Sequence, residues 1–574
     1  MVLAAYQQDY SPVADSLGLS SLVAVLPLLI LFVLLGVLRV RAWLASLIGL
    51  AAALVLAVTV SSMPTGDALN SAVLGAAFGF FPIMWIVINA IWVYNLTVET
   101  GHFDVLRRSF ASISDDQRVQ AIIIAFSFGA LMEALAGFGT PVAISSVMLI
   151  ALGFRPLKAA TVALVANTAP VAFGALAVPI TTLSGVTDLS VDHLGAMVGR
   201  QTPVLALFVP LALVFIVDGR RGLRQTWAPA LVCGFTFAVF QYLSANFWSV
   251  PLADIIAALA SALAVLAFTR VWHAVEAYQE SGGNDAGEPG AAAPALAGDG
   301  PGAARRPADP GTGDTRWDVV KAYVPYLAII VVFVLATRVP AITGKAPAKP
   351  GQHGTGIERV TQIVRWPGLH ITKASGDPVA TTFKLNYLSA AGTLLLIAGL
   401  ITLVLVQIGP RRALRAYGRT LVQLRTAIVT VMLVLGLGYV MNESGQTTTL
   451  GLWVAGAGGA FALLSPILGW LGVAVTGSDT SSNSLFGALQ ITAAHQAGLS
   501  PTLMAAANSS GGVLGKMISP QNLAIAAAAV GYEGREGILF RRVFVWSVVF
   551  LAFMCVLVYL QSTPVLDWMV VSTP

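Results

Sequence analysis

The chain has 574 residues, 57% of them hydrophobic, and only 10% are Asp, Glu, Lys or Arg, against roughly 25% charged in a soluble globular domain. That balance excludes a water-soluble fold. The net charge of +5 is scattered over short loops between apolar runs, which excludes a nucleic-acid-binding surface.

The amino-terminal stretch carries Asp9 and Asp15 and no Lys or Arg before the apolar run from Leu22 to Leu38. A cleavable signal needs a basic start and a short apolar region, so this run reads as the first membrane span. Roughly 20 apolar residues cross the bilayer core. Such windows follow at 43–60, 71–96, 119–136, 138–152, 157–180, 201–218, 227–246 and 250–269 in a first half. A second half has them at 322–339, 387–408, 426–441, 450–472, 473–492, 501–530 and 543–562. Windows 138–152 and 473–492 are rich in Gly, Thr, Ser or Asn and read as broken spans, or as hairpins that enter and leave on one side. The expected fold is an all-α polytopic membrane protein with about 14 transmembrane segments.

Residues 1–269 form the first half and 322–574 the second, with a polar loop at 341–386. Between them, 270–321 read as a cytoplasmic linker, because Ser281 to Asp314 is a Gly, Pro and Ala sequence without the bulk to fold alone. Cys233 and Cys555 lie inside apolar stretches, so spacing points to neither a disulfide framework nor a thiolate metal site.

Orientation follows from Lys and Arg in short loops, which stay cytoplasmic. Arg39 and Arg41, then Arg107, Arg108 and Arg118, then Arg155 and Lys158, then Arg220, Arg221 and Arg224 fall on alternate sides of the span count. The same parity puts Arg411, Arg412, Arg415 and Arg419 inside, Arg535, Arg541 and Arg542 inside, and both termini outside. The 341–386 loop is basic, yet parity places it outside.

The halves repeat one another. Ala166, Asn167, Thr168 and Gly174 match Ala507, Asn508, Ser509 and Gly515, with the same step from Asn to Gly. Upstream lie Gly137 to Pro141 in the first half and Gly477 to Asn483 in the second. The charge parity runs the two Asn helices in opposite directions, so the repeats are inverted, as in many carriers whose site lies at the repeat interface. Irregular Gly and Pro segments survive in a bilayer only where protein buries them or they line a wet cavity. Their free helix-end amides attract anions; the alternative is close helix packing or a kink.

Glu133 has no basic residue for a dozen positions on either side, and an ionisable group there costs about 2.5–3.5 kcal/mol unless it is neutral, paired or wet. It is either the group that takes up a proton or a structural carboxyl bonded to a neighbouring helix. Asp479, among the hydroxyls of TGSDTSSN, is the second such candidate. Lys516 is the one cation well inside the second repeat; it is a counter-charge for an anionic substrate or for Asp479, or its stem snorkels. Gly139, Thr140, Asn167, Thr168, Ser478, Thr480, Asn508, Ser509 and Ser510 are the remaining candidate binding residues, suited to a carboxylate or a hydroxyl. The phosphate-loop likeness of SSGGVLGKM fails at Ser510 and Met517, and no zinc-protease or nucleophile-elbow motif occurs. No catalytic residue, metal site or cofactor is expected.

The blocks Glu133 to Ile144, Val165 to Leu176, Gly477 to Gly487 and Ala507 to Ala526 resemble those of the L-lactate permease family, carriers of lactate and glycolate, and the likeness runs from about Leu22 to the C-terminus. Ala134 stands where the family's first block has Gly, which bears on local packing. The resemblance implies a proton-coupled symporter of L-lactate and related 2-hydroxy monocarboxylates in the cytoplasmic membrane, with re-entrant hairpins and often a homodimer. On it, Lys516 and the hydroxyls hold the carboxylate, Asn167 and Asn508 read the 2-hydroxyl, and Glu133, with Asp479 second, takes the proton. A carrier of the same architecture for another anion, or coupled to sodium, remains the alternative, and a membrane-embedded enzyme is a more distant one.

Overall fold

In lipid a backbone satisfies its polar groups only within helices or closed barrels, and the apolar windows of this chain are helical. The computed structural model describes residues 6–38, 40–111, 114, 116–137, 139–272, 276, 278–279, 315–347, 350–379, 381–532 and 535–571. Of the linker expected at 270–321, residues 281–314 lie outside the described residues, as does Phe138, and its end from Arg316 is already helical.

The chain opens with α1 (Leu17–Val37), α2 (Ala42–Thr59) and α3 (Thr65–Glu99). Helix α3 bends at Phe81, whose backbone is extended ahead of Pro82, since proline cannot continue the ladder. A short α4 (His102–Ala111) leads to the first of two equivalent assemblies.

That assembly is a hairpin followed by a broken helix. The hairpin arms are α5 (Gln117–Leu135) and α6 (Thr140–Ala151), with Ala136, Gly137 and Gly139 at the tip. The broken helix is α7 (Pro156–Ala166) and α8 (Gly174–Thr187), bent by 66° across the break. Then come α9 (Val191–Val198), α10 (Val209–Leu243) and α11 (Ala253–Phe268).

The second half begins with α12 (Arg316–Arg338), α13 (Ala391–Leu405), α14 (Pro410–Glu443) and α15 (Gln446–Val454). Helix α14 packs on α2 and α3, and α13 packs on α3 and α12. Gly75 allows α3 so near α14 that a Cβ there would stand 2.5 Å from the Leu435 carbonyl oxygen, the small-residue contact expected between membrane helices. The second assembly repeats the first: hairpin arms α16 (Phe461–Thr476) and α17 (Asp479–Ala497), then α18 (Pro501–Gly515) and α19 (Pro520–Ala529) flanking a tight turn at Lys516–Ile518. Helix α20 (Glu536–Gln561) closes the chain.

The two assemblies interlock reciprocally. The far half of each broken helix packs on the second arm of the other hairpin, α8 on α17 and α19 on α6. The first hairpin opens at the end where Lys158 Nζ donates to Val217 O at 3.0 Å. The second opens at the end of α14 that carries Glu443, opposite Arg411 and Arg412, so the repeats are inverted.

Among the described residues, 10 helices are long and apolar enough to span by length and composition, or 11 with the bent pair counted as one; the expected count of about 14 also included shorter apolar segments. Hydropathy windows cannot see that hairpin arms stop at their tips: window 138–152 is an arm, and 473–492 runs from α16 through a tip into α17. Nor do the two Asn motifs occupy equivalent places. Asn167 caps α7 at its break, whereas Asn508 lies inside α18, with the break beginning at Lys516.

The basic 341–386 loop folds over the end of the bundle that the charge pattern assigns to the outside. Strand β1 (Tyr6–Gln7) runs parallel to β3 (Ile371–Thr372), while β2 (Gln362–Arg365) pairs antiparallel with β4 (Thr382–Leu385). Tyr6 OH donates to the carbonyls of Ser61 at 3.0 Å and Ser444 at 3.1 Å, so this loop and the amino-terminal strand share one end. At the opposite end, Arg419 Nη1 lies 3.0 Å from Glu99 Oε1.

Candidate functional site

The tips and breaks of the two assemblies converge on a cavity of 260 Å³. Its walls are Glu133 and Gly137 of the first hairpin, Gly174, Ala175, Val178 and Pro179 of the first broken helix, Thr476 to Ser481 of the second hairpin, and Lys516 and Gln521 of the second broken helix. Thr426 and Thr430 of α14 face them across the cavity.

Glycine makes the tips possible. Gly139 (φ +81°) caps the start of α6, and Gly477 (φ +75°) ends α16, both in the left-handed region that side chains disfavour. A Cβ on Gly139 would also meet Ile525 Cδ1 at 2.4 Å, because the first tip sits directly on α19. Ser478 caps α17, its Oγ accepting from the Ser481 amide, which points the α17 amino terminus at the cavity.

Glu133 and Lys516 form an ion pair of 2.5 Å between Nζ and Oε1, with side chains 8% and 3% exposed for Lys516 and Glu133 respectively. Asn167 Nδ2 donates to Glu133 Oε2 at 2.9 Å, so both carboxylate oxygens have a donor. Gly174 makes the room: a Cβ there would lie 2.8 Å from Glu133 Oε1. Past Gly174, Ala175, Leu176 and Ala177 all have positive φ. Three consecutive non-glycine residues in the left-handed region hold strain of the kind that collects at functional sites.

Asp479 is the second carboxyl of the cavity. Its Oδ2 accepts from Ser509 Oγ at 2.5 Å and Asn483 Nδ2 at 3.5 Å, and its Oδ1 has no partner among the described residues. Gly512 clears its space, since a Cβ there would lie 2.3 Å from Oδ1.

Of the residues singled out from sequence, Glu133, Ser478, Asp479, Thr480 and Lys516 line this cavity. Asn167 and Ser509 stand behind it, bonded to its two carboxyls. Others are not brought to it. Asn508 donates to Asn483 Oδ1 at 2.9 Å and accepts from Gln490 at 3.0 Å, tying α18 to α17. Thr168 donates to Val165 O, Gly139 packs on α19, Thr140 begins α6, and Ser510 is buried with no partner among the described residues. Sequence reasoning used Gly174 only as a mark of the repeat and missed Gly512, Thr426 and Thr430. The threonines, one turn apart in a window read as an apolar span, were the available signal.

The sequence profile of L-lactate permease matches residues 20–565. An L-lactate permease of Bacillus subtilis (strain 168) is 42% identical over 98% of this chain and 100% of its own length. The glycolate permease GlcA of Escherichia coli (strain K12) is 41% identical over 97% of this chain and 98% of its own. An L-lactate permease of the same Escherichia coli strain is 41% identical over 98% and 99% respectively. With this similarity over nearly its full length, the chain is a multi-pass membrane protein that belongs to the L-lactate permease family.

Proposed function

We propose that the protein is a secondary active transporter that carries L-lactate and related 2-hydroxy monocarboxylates, glycolate and D-lactate among them, together with a proton. The names of its relatives, L-lactate permease and glycolate permease, support the substrate class.

The observation that carries the coupling is the Lys516–Glu133 pair inside the cavity. A substrate carboxylate needs a cation in this buried site, and Lys516, the one cation lining it among the described residues, is already held by Glu133. Two anions around one ammonium leave a buried net negative charge, which is costly. Protonating Glu133 frees Lys516 for the substrate, so anion and proton enter together. Asn167, bonded to Glu133, positions that carboxyl. Ser478, Thr480, Ser481 and the amino terminus of α17 complete the site for carboxylate and hydroxyl, and Asp479 is the second candidate for the proton. One proton per anion moves no net charge, so the membrane voltage, worth about 2.3 kcal/mol per charge per 100 mV, does not drive that step.

The test is uptake of labelled L-lactate into proteoliposomes under an inward proton gradient, with wild type and Glu133→Gln compared and glycolate as competitor. Wild type accumulates lactate, glycolate competes, sodium replacement changes nothing, and the variant keeps exchange but loses gradient-driven accumulation. Normal accumulation by the variant would transfer the proton role to Asp479. Absence of lactate movement in wild type would overturn the substrate assignment.

A further inference from the structure

Asp254, in the first turn of α11, is fully buried and belongs to none of the groups described so far. Gln241 Nε2 donates to its Oδ1 at 2.7 Å, and Thr202 Oγ donates in turn to Gln241 Oε1 at 3.3 Å. Its Oδ2 has no partner among the described residues. A structural carboxylate at such depth is expected to have both oxygens satisfied, as Asp116 does through the Nε and Nη2 of Arg118.

Two spatial relations give Asp254 a role. A second cavity, of 430 Å³, opens at the end of the bundle assigned to the outside. Ala245, Ser249 and Pro251 line it together with the acidic Asp192 and Glu358, so Asp254 and Gln241 each lie about one turn of chain from a lining residue. On the other side α11 packs along α5. The contact of Ser127 Oγ with Ser261 Oγ at 2.8 Å fixes the register of these antiparallel helices. Two turns beyond it, about 10 Å along the axis, Asp254 is level with Ala134 and hence with Glu133.

The other elements packed on α11 are α8, α10 and the segments 244–248 and 250–252. Of these only α10 carries ionisable groups. Asp218, Arg220, Arg221 and Arg224 lie towards its opposite end, Cys233 meets Ser127, and Tyr242 is 37% exposed. On α5 the groups are Arg118, at the far end, and Glu133. Glu133 is therefore the carboxyl nearest in level to Asp254 among the described residues of these elements.

We infer that Asp254 is a second proton-carrying carboxyl, loaded from the acidic outer cavity, that hands its proton to Glu133 along a route separate from the substrate's. A proton passes from water in that cavity to the Asp254 carboxylate, and from the resulting acid to the Glu133 carboxylate; only O–H bonds form and break. The inference rests on the proton-coupled reading above.

The experiment compares wild type, Asp254→Asn and Asp254→Glu in proteoliposomes by three readouts: lactate exchange without a gradient, gradient-driven accumulation, and uptake rate against external pH. Asp254→Asn is expected to keep exchange, to lose gradient-driven uptake, and to respond less to external pH. Asp254→Glu restores both. Wild-type accumulation and pH response in Asp254→Asn would overturn the relay while leaving the proton-coupled reading intact. Loss of exchange together with accumulation would make Asp254 a structural group and equally overturn it. Accumulation by wild type without any proton gradient would instead remove the reading on which the relay rests.

Discussion

Lys516 and Glu133 are 383 residues apart in the chain, yet their side chains meet at 2.5 Å and join the break of one broken helix to the hairpin of the other repeat. A buried pair of this kind adds little net stability, but removing one partner strands the other charge, at about 3–5 kcal/mol. Lys516→Gln should therefore lower the thermal unfolding temperature of the purified protein sharply, and Lys516→Gln with Glu133→Gln should recover most of the loss. Equal unfolding temperatures for single and double variants would show that the pair is not coupled.

Gly512 and Gly174 are the places where the helices make room for the two carboxyls. Gly512→Ala places a methyl 2.3 Å from Asp479 Oδ1, whereas at Gly418 in α14 nothing lies within 4 Å. Overpacking costs about 1–3 kcal/mol, so Gly512→Ala should lower both stability and uptake. Gly418→Ala should gain about 0.5–1 kcal/mol from helix propensity with uptake unchanged. Thermal unfolding and initial uptake rates on the same preparations check both.

Asn508 is bonded on both sides to α17 and lies off the cavity, whereas Thr480 lines it. Asn508→Ala leaves buried amides unpartnered, costing about 1–3 kcal/mol, and should lower stability with the lactate KM unchanged. Thr480→Val should raise KM with little effect on stability. A raised KM in Asn508→Ala would contradict this division of roles.

The left-handed run at Ala175, Leu176 and Ala177 costs about 1–2 kcal/mol per non-glycine residue. Ala175→Gly should relieve part of it and raise the unfolding temperature. Ala175→Val, β-branched and less tolerant of positive φ, should lower it. The opposite order in thermal unfolding would mean that the backbone there is not strained.

Much of this molecule is legible in one dimension. Lipid imposes local rules, apolar length for a span and internally bonded backbone, so the apolar windows, the unusual segments at 138–152 and 473–492 and the sidedness of the short basic loops follow from composition alone. The cost of an unpaired charge in lipid likewise marks Glu133, Asp479 and Lys516 by their apolar surroundings in the chain.

What tertiary structure decided is who meets whom. Hydropathy does not record where a helix stops inside the bilayer, so the hairpin arms α5 and α16 look like full spans in sequence. A charge also does not name its partner: Lys516 is near Asp479 by chain distance, but folding the repeats against each other brings it to Glu133 instead. Asn167 and Asn508 share a sequence motif and part company in space, because the break in one helix falls at the Asn and in the other begins at Lys516. Local physics acts within a few turns of chain, whereas the cavity is built by interlocking elements hundreds of residues apart, whose packing only the folded chain determines.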